Sequence, residues 1–342
     1  MTARPAAGAD ARSNHRRSQH QISIALDWGT TNLRAFLIGT DGAVIEQREK
    51  PWGILSLPAP VAEGGFDQAL EGIAGDWLAA GPQAPLIASG MVGSAQGWRE
   101  APYVECPAGA ADLAGHMTTV CTAGARDLMI VPGILLNRPD ALPDVIRGEE
   151  TQVIGAQDAL GMHEDAVCFV LPGTHSKWVL ARNRRIERFA TYMTGEVFAT
   201  LKQHSILGRL MKTPAEAPND ADDGTAASAA AYSQALALAR RSGPGDLMRH
   251  LFTVRSMNLA GRLPVTALAD YLSGLLIGHE LVSATAWLRR HAGENTPIVL
   301  IGETALLARY NAAFAAFDLR AASLGNTAAA GLHRLITLAE LR

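Results

Sequence analysis

A chain of 342 residues, 48% hydrophobic and 18% charged, has the composition of a packed globular protein and not of a disordered one. Its formal net charge of −3 offers no field that favours polyanions, which argues against nucleic acid as a partner. The cysteines Cys106, Cys121 and Cys168 are odd in number and widely spaced, which argues against a disulfide framework or zinc knuckle and for a reducing, cytoplasmic setting.

Residues 1–21 are polar and Arg-rich and lack the apolar stretch of about 7–15 residues that a secretory signal needs, so they read as a disordered tail. No run approaches about 18 consecutive apolar residues, so no membrane span is expected. From Ile22 to Asp27 the pattern predicts a strand, followed by the polar turn Trp28-Gly29-Thr30-Thr31. A second strand follows through Leu33, Ala35 and Leu37, then the hairpin signal Asp41-Gly42 and a third strand from Val44. Phe66 to Leu78 carries helical apolar spacing. Leu86-Ile87-Ala88 is a short buried strand that runs into the Gly-rich loop Ser89–Ser94.

The same order returns later in the chain. Val167–Leu171 is an apolar strand, Pro172-Gly173-Thr174-His175-Ser176 a polar turn, Trp178–Leu180 a strand, and Ile186–Tyr192 another. Helices are predicted from Glu196 and over Leu268–Leu288, and Ile298–Ile301 is a buried strand leading into Gly302-Glu303 and a helix. Pro214–Ala230 reads as an acidic, small-residue surface loop. A repeat of half the chain implies an α/β domain that has been duplicated, and at about 100–200 residues per domain the length fits two. The division falls near residue 150, giving lobes 22–150 and 151–342.

Binding a nucleoside triphosphate takes backbone N–H groups and hydroxyls close to the phosphates, and a carboxylate to hold Mg²⁺. The first turn offers Asp27, Gly29, Thr30, Thr31 and Asn32; the second offers Gly173, Thr174, His175 and Ser176. Either alone is a weak signal; two in matched positions of a duplicated fold predict a polyphosphate held across a cleft. Rival devices are missing: no Gly-Lys pair exists for a P-loop, no G-x-G-x-x-G follows a strand, and there is no D-F-G. His175 beside Ser176 lacks a nucleophile elbow, and His279-Glu280 lacks the second His that a zinc protease needs.

These strings carry a family resemblance. D-W-G-T-T-N-L-R (Asp27–Arg34), L-P-G-T-H-S-K-W (Leu171–Trp178) and V-L-I-G-E (Val299–Glu303) resemble the two phosphate motifs and the adenosine motif of the sugar kinase–hexokinase–Hsp70–actin superfamily. G-M-V-G-S-A-Q-G-W (Gly90–Trp98), R-G-E-E-T-Q (Arg147–Gln152) and M-T-G-E-V-F (Met193–Phe198) narrow the resemblance to 2-dehydro-3-deoxygalactonokinases, from about Ile22 to the C-terminus. It implies two actin-like, ribonuclease H-like ATPase lobes with a cleft between them. It also implies ATP and Mg²⁺ as cofactors, with Asp27 toward the metal and Gly302 and Glu303 toward adenosine. The activity it implies is phosphorylation of the C6 hydroxyl of 2-dehydro-3-deoxy-D-galactonate.

A kinase acting on an alcohol needs a base to accept the hydroxyl proton. Glu150 is expected as that base, with Glu149 a second carboxylate for water, metal or substrate; the order is open to reversal, and Asp27 completes the catalytic set. Related sugar kinases carry Asp in a comparable place, so Glu here is a departure. For the substrate carboxylate, Gly93, Ser94, Gln96, Trp98 and Arg147 are candidates, with Arg34 serving either phosphate or substrate. Lys177 is left between reaching the triphosphate and facing solvent. Other readings stay open: a kinase of another sugar acid or polyol, or an ATPase that drives a partner protein. Substrate stereochemistry is not legible, and a homo-oligomer is left open.

Overall fold

The computed structural model of the protein describes residues 22–161, 166–211 and 224–341. The tail expected over residues 1–21 lies outside them. The strands are β1 (Ile22–Trp28), β2 (Leu33–Gly39), β3 (Val44–Lys50), β4 (Leu86–Gly90), β5 (Tyr103–Glu105), β6 (Ala108–Gly109), β7 (Thr118–Cys121) and β8 (Asp127–Ile130). They continue as β9 (Gly133–Leu136), β10 (Asp144–Ile146), β11 (Val167–Leu171), β12 (Ser176–Arg182), β13 (Arg185–Tyr192), β14 (Ile298–Ile301) and β15 (Ala322–Leu324). The helices are α1 (Gly65–Ala80), α2 (Ala110–Ala114), α3 (Glu149–Ala159), α4 (Thr194–His204) and α5 (Gly224–Arg240). α6 (Asp246–Leu259), α7 (Leu268–Ala292), α8 (Thr304–Ala316) and α9 (Ala328–Glu340) complete the set.

The chain forms two compact units, interleaved along the sequence. The first takes the chain up to Pro102, Ala114–Pro132 and the chain from Leu332; the second takes Tyr103–Leu113 and Gly133–Gly331. The units therefore do not divide near residue 150: Arg147, Glu149 and Glu150 belong to the same unit as Gly173–Ser176.

In the first unit a six-stranded sheet has the order β3-β2-β1-β4-β8-β7. β1 is antiparallel to β2 and parallel to β4, so its run Ser23–Leu26 is buried, as a central strand requires. β3 is mostly exposed and carries Glu46, Arg48, Glu49 and Lys50, charges suited to an edge strand. α1 buries Phe66, Ala69, Leu70, Ile73, Ala74 and Trp77, a stripe at spacings of three and four, against Ile24, Leu26 and Leu33 of the sheet. Each large side chain in that stripe stabilises the unit by about 1.5–3 kcal/mol.

The second unit repeats the plan with the order β15-β14-β11-β12-β13-β6, beside a small sheet β10-β9-β5. β11 is antiparallel to β12 and parallel to β14. Thus β3-β2-β1-β4-β8 in one unit matches β13-β12-β11-β14-β15 in the other, the duplicated strand order of the actin-like, ribonuclease H-like fold. The duplication read from the sequence is present.

α7 lies at the centre of the second unit. Its face Ile277, Leu281, Ala284 and Leu288 packs with Val170, Trp178 and Leu180 of the sheet. Gly274 and Gly278, four residues apart, let α5 approach: a Cβ on either would fall 2.6 Å from the Tyr232 carbonyl oxygen or 2.5 Å from the Ala239 Cβ. With its preceding turn, α7 is long and apolar enough to match a membrane span by length and composition, but its most apolar stretch is mostly buried within the protein, as in a core helix. The loop expected over Pro214–Ala230 is corrected in part. Residues 212–223 lie outside the described residues, and α5 already runs from Gly224, because its Ala-rich sequence is a strong helix former.

Candidate active site

In the first unit, Asp27 is the penultimate residue of β1 and pairs across the sheet with Arg34. Arg34 Nη1 lies 3.7 Å from Asp27 Oδ2, and its Nε lies 3.2 Å from Glu49 Oε2. Asn32 Nδ2 donates to the other Glu49 oxygen at 2.7 Å. The carbonyls of the turn Gly29–Asn32 are held from behind by backbone amides. The amides of Gly53, Ile54 and Leu55 donate to the carbonyls of Thr31, Gly29 and Thr30 at 2.9, 3.1 and 3.2 Å. With those carbonyls turned inward, the amide N–H groups of Thr30, Thr31 and Asn32 make no hydrogen bond to another described residue, and all three residues are exposed. That is a nest of donors suited to an anion. Gly53 is required for it: a Cβ there would lie 2.3 Å from the Thr30 carbonyl and the Thr31 nitrogen.

Of the substrate candidates in this unit, Trp98 is a packing residue. It stacks on Phe66 at 5.4 Å and 9° and meets Trp28 edge-on at 6.0 Å. Gly93 and Ser94 are buried, and the Ser94 hydroxyl donates to the Met91 carbonyl at 2.7 Å. Gln96 is exposed and Arg34 half-buried beside Asp27.

In the second unit, the turn between β11 and β12 is held by side chains. Ser176 is fully buried and donates from Oγ to Glu280 Oε1 at 2.7 Å. The exposed His175 ring is hydrogen-bonded through Nε2 to Glu196, whose own N–H donates to the Thr174 carbonyl at 2.9 Å. Gly195 packs so closely on the turn that a Cβ would sit 2.4 Å from the Gly173 oxygen. The N–H groups of Gly173, Thr174 and His175 make no hydrogen bond to another described residue, as in the first turn. Gly173 opens onto a cavity of about 350 Å³ lined by Thr194, Phe198, Leu276, Leu306, Arg309 and Tyr310, among others. Gly302 and Glu303 do not line it; they lead into α8, which supplies its wall. A larger cavity of about 1020 Å³, between β13, α7 and the 140–144 loop, contains none of the candidate residues.

Glu149 and Glu150 open α3, and the structure distinguishes them. Glu150 has no exposed surface, and the Gly148 N–H donates to both its oxygens, at 2.9 and 2.7 Å. Burial, and secondarily the Glu149 charge, push its carboxyl up to about 8. Glu149 keeps 24% of its side chain exposed, accepts the Arg147 N–H at 3.0 Å, and lies 3.8 Å from Lys177 Nζ. Lys177 is not solvent-facing: it is 6% exposed, with its ammonium turned to Glu149. The Arg147 guanidinium lies over the Tyr103 ring at 4.3 Å.

Sequence reasoning missed the Gly53–Leu55 backing of the first turn and the Glu280 anchor of the second. A signal for Glu280 was present: an acid in the middle of the apolar run Leu268–Leu288, away from the helix start where Asp270 sits, and an unpaired carboxylate would not be tolerated there.

Comparison with known proteins shows the family. Residues 27–335 match the sequence profile of the family described as 2-keto-3-deoxy-galactonokinase. A Rhizobium meliloti (strain 1021) protein named "Probable 2-dehydro-3-deoxygalactonokinase DgoK1" is 39% identical over 313 residues, 90% of this chain and 94% of the relative. The 2-dehydro-3-deoxygalactonokinase of Escherichia coli (strain K12) is 37% identical over 295 residues, 86% of this chain and 89% of the relative. The crystal structure of a Sinorhizobium meliloti protein assigned the same enzyme name superposes with a TM-score of 0.77 at 33% identity, covering 93% of this chain and 98% of that one.

Proposed function

The chain belongs to the 2-keto-3-deoxy-galactonokinase family, and from that premise we propose that it transfers the γ-phosphoryl group of ATP to the C6 hydroxyl of 2-dehydro-3-deoxy-D-galactonate, a step of galactonate breakdown. The observation that carries the reading is the turn at Gly173–His175, whose outward amides border a cavity of about 350 Å³ in the unit that also holds Glu149. The cavity has the size of a small-ligand pocket and mixes apolar walls (Phe198, Leu276, Leu306) with a few polar groups, as a nucleoside site does. Each turn is read as a phosphate-binding element, through backbone donors that phosphate oxygens can satisfy.

The donor set also fits Mg²⁺. Asp27 lies next to the end of β1, beside the first turn, and among the described residues no cluster of three metal-ligating side chains exists. Mg²⁺ held by one carboxylate with phosphate and water oxygens is the usual arrangement, and when bound it neutralises phosphate charge.

The proton acceptor must touch the substrate hydroxyl. Glu149 is reachable and lies next to a buried lysine that orients its carboxylate; Glu150 is enclosed, with both oxygens on the Gly148 N–H. The base is therefore assigned to Glu149, the reverse of the order first expected, and Glu150 holds the start of α3. Arg147, two residues before Glu149, is the candidate for the substrate carboxylate. Arg34, tied to Asp27 and Glu49, belongs to the phosphate side. A cytoplasmic setting belongs to this reading, where ATP is supplied and free thiols such as Cys106, Cys121 and Cys168 persist.

The test is ADP formation over a panel of 2-keto-3-deoxy sugar acids, hexoses and polyols. ADP release that depends on the galactonate-derived keto acid supports the reading. ADP release without any acceptor would hand it to the partner-driving ATPase, and a faster hexose or polyol would reassign the substrate.

A further inference from the structure

Glu280 sits in the middle of α7, 3% exposed, and its carboxylate collects four donors. Oε1 accepts from Ser176 Oγ at 2.7 Å and Trp178 Nε1 at 2.9 Å; Oε2 accepts from Tyr310 Oη at 2.8 Å and from the Thr194 hydroxyl. Each donor comes from an element that shapes the proposed nucleotide site. Ser176 is the residue on which the second turn enters β12. Thr194 starts α4, whose next two residues buttress that turn. Tyr310 lies on α8, and both Thr194 and Tyr310 line the cavity of about 350 Å³.

Solvation alone does not account for an acid in this place. Burial opposes its ionised form, and the four hydrogen bonds act in the other direction. A core helix has no need of a carboxylate, but three elements that must keep a fixed spacing around a ligand do. We propose that Glu280 is the positioning residue of the nucleotide site: without touching the nucleotide, it sets the second turn, the start of α4 and the α8 wall in register. This rests on the nucleotide reading of the cavity.

Gln is the informative replacement because the donors are not equivalent. The Trp178 indole N–H can only donate, so it needs the retained oxygen, whereas the Thr194 and Tyr310 hydroxyls can turn and accept from the new amide. In E280Q the packing survives, but the two hydroxyls on the cavity wall reverse their hydrogens. The expected result is an ADP Kd, measured by calorimetry, weakened about five- to tenfold, with a matching rise in the KM for ATP. The KM for the sugar acid should stay within about twofold, since its site lies on other residues. Trp178→Phe, which removes a donor to Glu280 from outside the cavity, and Thr194→Val, which removes another, should each weaken ADP binding in the same direction as E280Q. These two also decide the matter if E280Q does not fold. Unchanged ADP affinity in a folded E280Q, or equal rises in both KM values, overturns the positioning role alone. No ADP binding by the wild-type protein overturns the nucleotide reading and this role with it.

Discussion

The two turns occupy matching places in the duplicated strand order, yet they are built differently. The turn after β1 is braced by backbone: three consecutive amides of Gly53–Leu55 hold its carbonyls, and no Cβ fits at Gly53. The turn after β11 is braced by side chains, with Glu280 beneath it, Glu196 beside it, and the Glu149–Lys177 pair on the strand it enters. Duplication conserves the geometry that presents N–H groups and leaves the means of holding it free to diverge. The side-chain-braced region also holds Glu149 and Glu150, so the two turns should fail in different ways.

Glu149→Gln should break the comparison most severely. As the assigned proton acceptor, its loss should lower kcat by about 10²–10⁴-fold with little change in either KM, and the melting temperature should fall because buried Lys177 loses its carboxylate. Near-normal turnover in steady-state assays would move the base elsewhere, first to Glu150. Gly53→Ala strikes the other turn. Its new methyl meets backbone at 2.3 Å, so the turn must shift. Overpacking of this kind costs about 1–3 kcal/mol, read as a lower melting temperature together with a KM for ATP raised about tenfold.

Glu150→Gln sharpens the distinction between the paired carboxylates through pH. A carboxyl raised from 4.5 to about 8 in the folded protein binds its proton more tightly there than in the unfolded chain. Its contribution to stability is therefore whole below the unfolded value and is lost as pH rises through about 8. Thermal melts across that window should show the wild-type protein losing stability relative to the Gln variant as pH increases. A constant difference would mean that Glu150 stays ionised. The smallest effect is expected for His175→Gln. The His175–Glu196 pair is 46% exposed on both sides, so its loss should change stability by no more than about 1 kcal/mol.

Much of this was legible in the sequence, for physical reasons that also mark the limit. β1 and β2 and their counterparts β11 and β12 announce themselves by apolar runs broken by glycine-containing turns, so the duplication and both turns could be read locally. What holds the turns could not. Ser176 and Glu280 are 104 positions apart, and only the packing of α7 across the sheet joins them. In the sequence Glu280 stands as half of a failed zinc motif. Burial is likewise a tertiary property: Glu149 and Glu150 are interchangeable as text and opposite in exposure as folded. Lys177 reads as an ordinary strand lysine until β12 sets it against Glu149. α5 was lost to the acidic Asp-Gly signal that precedes it, although its alanines favour helix.

The most direct test of the central assignment is phosphorus NMR of a single reaction containing the protein, ATP, Mg²⁺ and 2-dehydro-3-deoxy-D-galactonate. The account predicts one new phosphomonoester resonance, coupled to the C6 methylene protons and growing in step with ADP. Inorganic phosphate growing with ADP and no ester, or an ester coupled to a different carbon's protons, would contradict it.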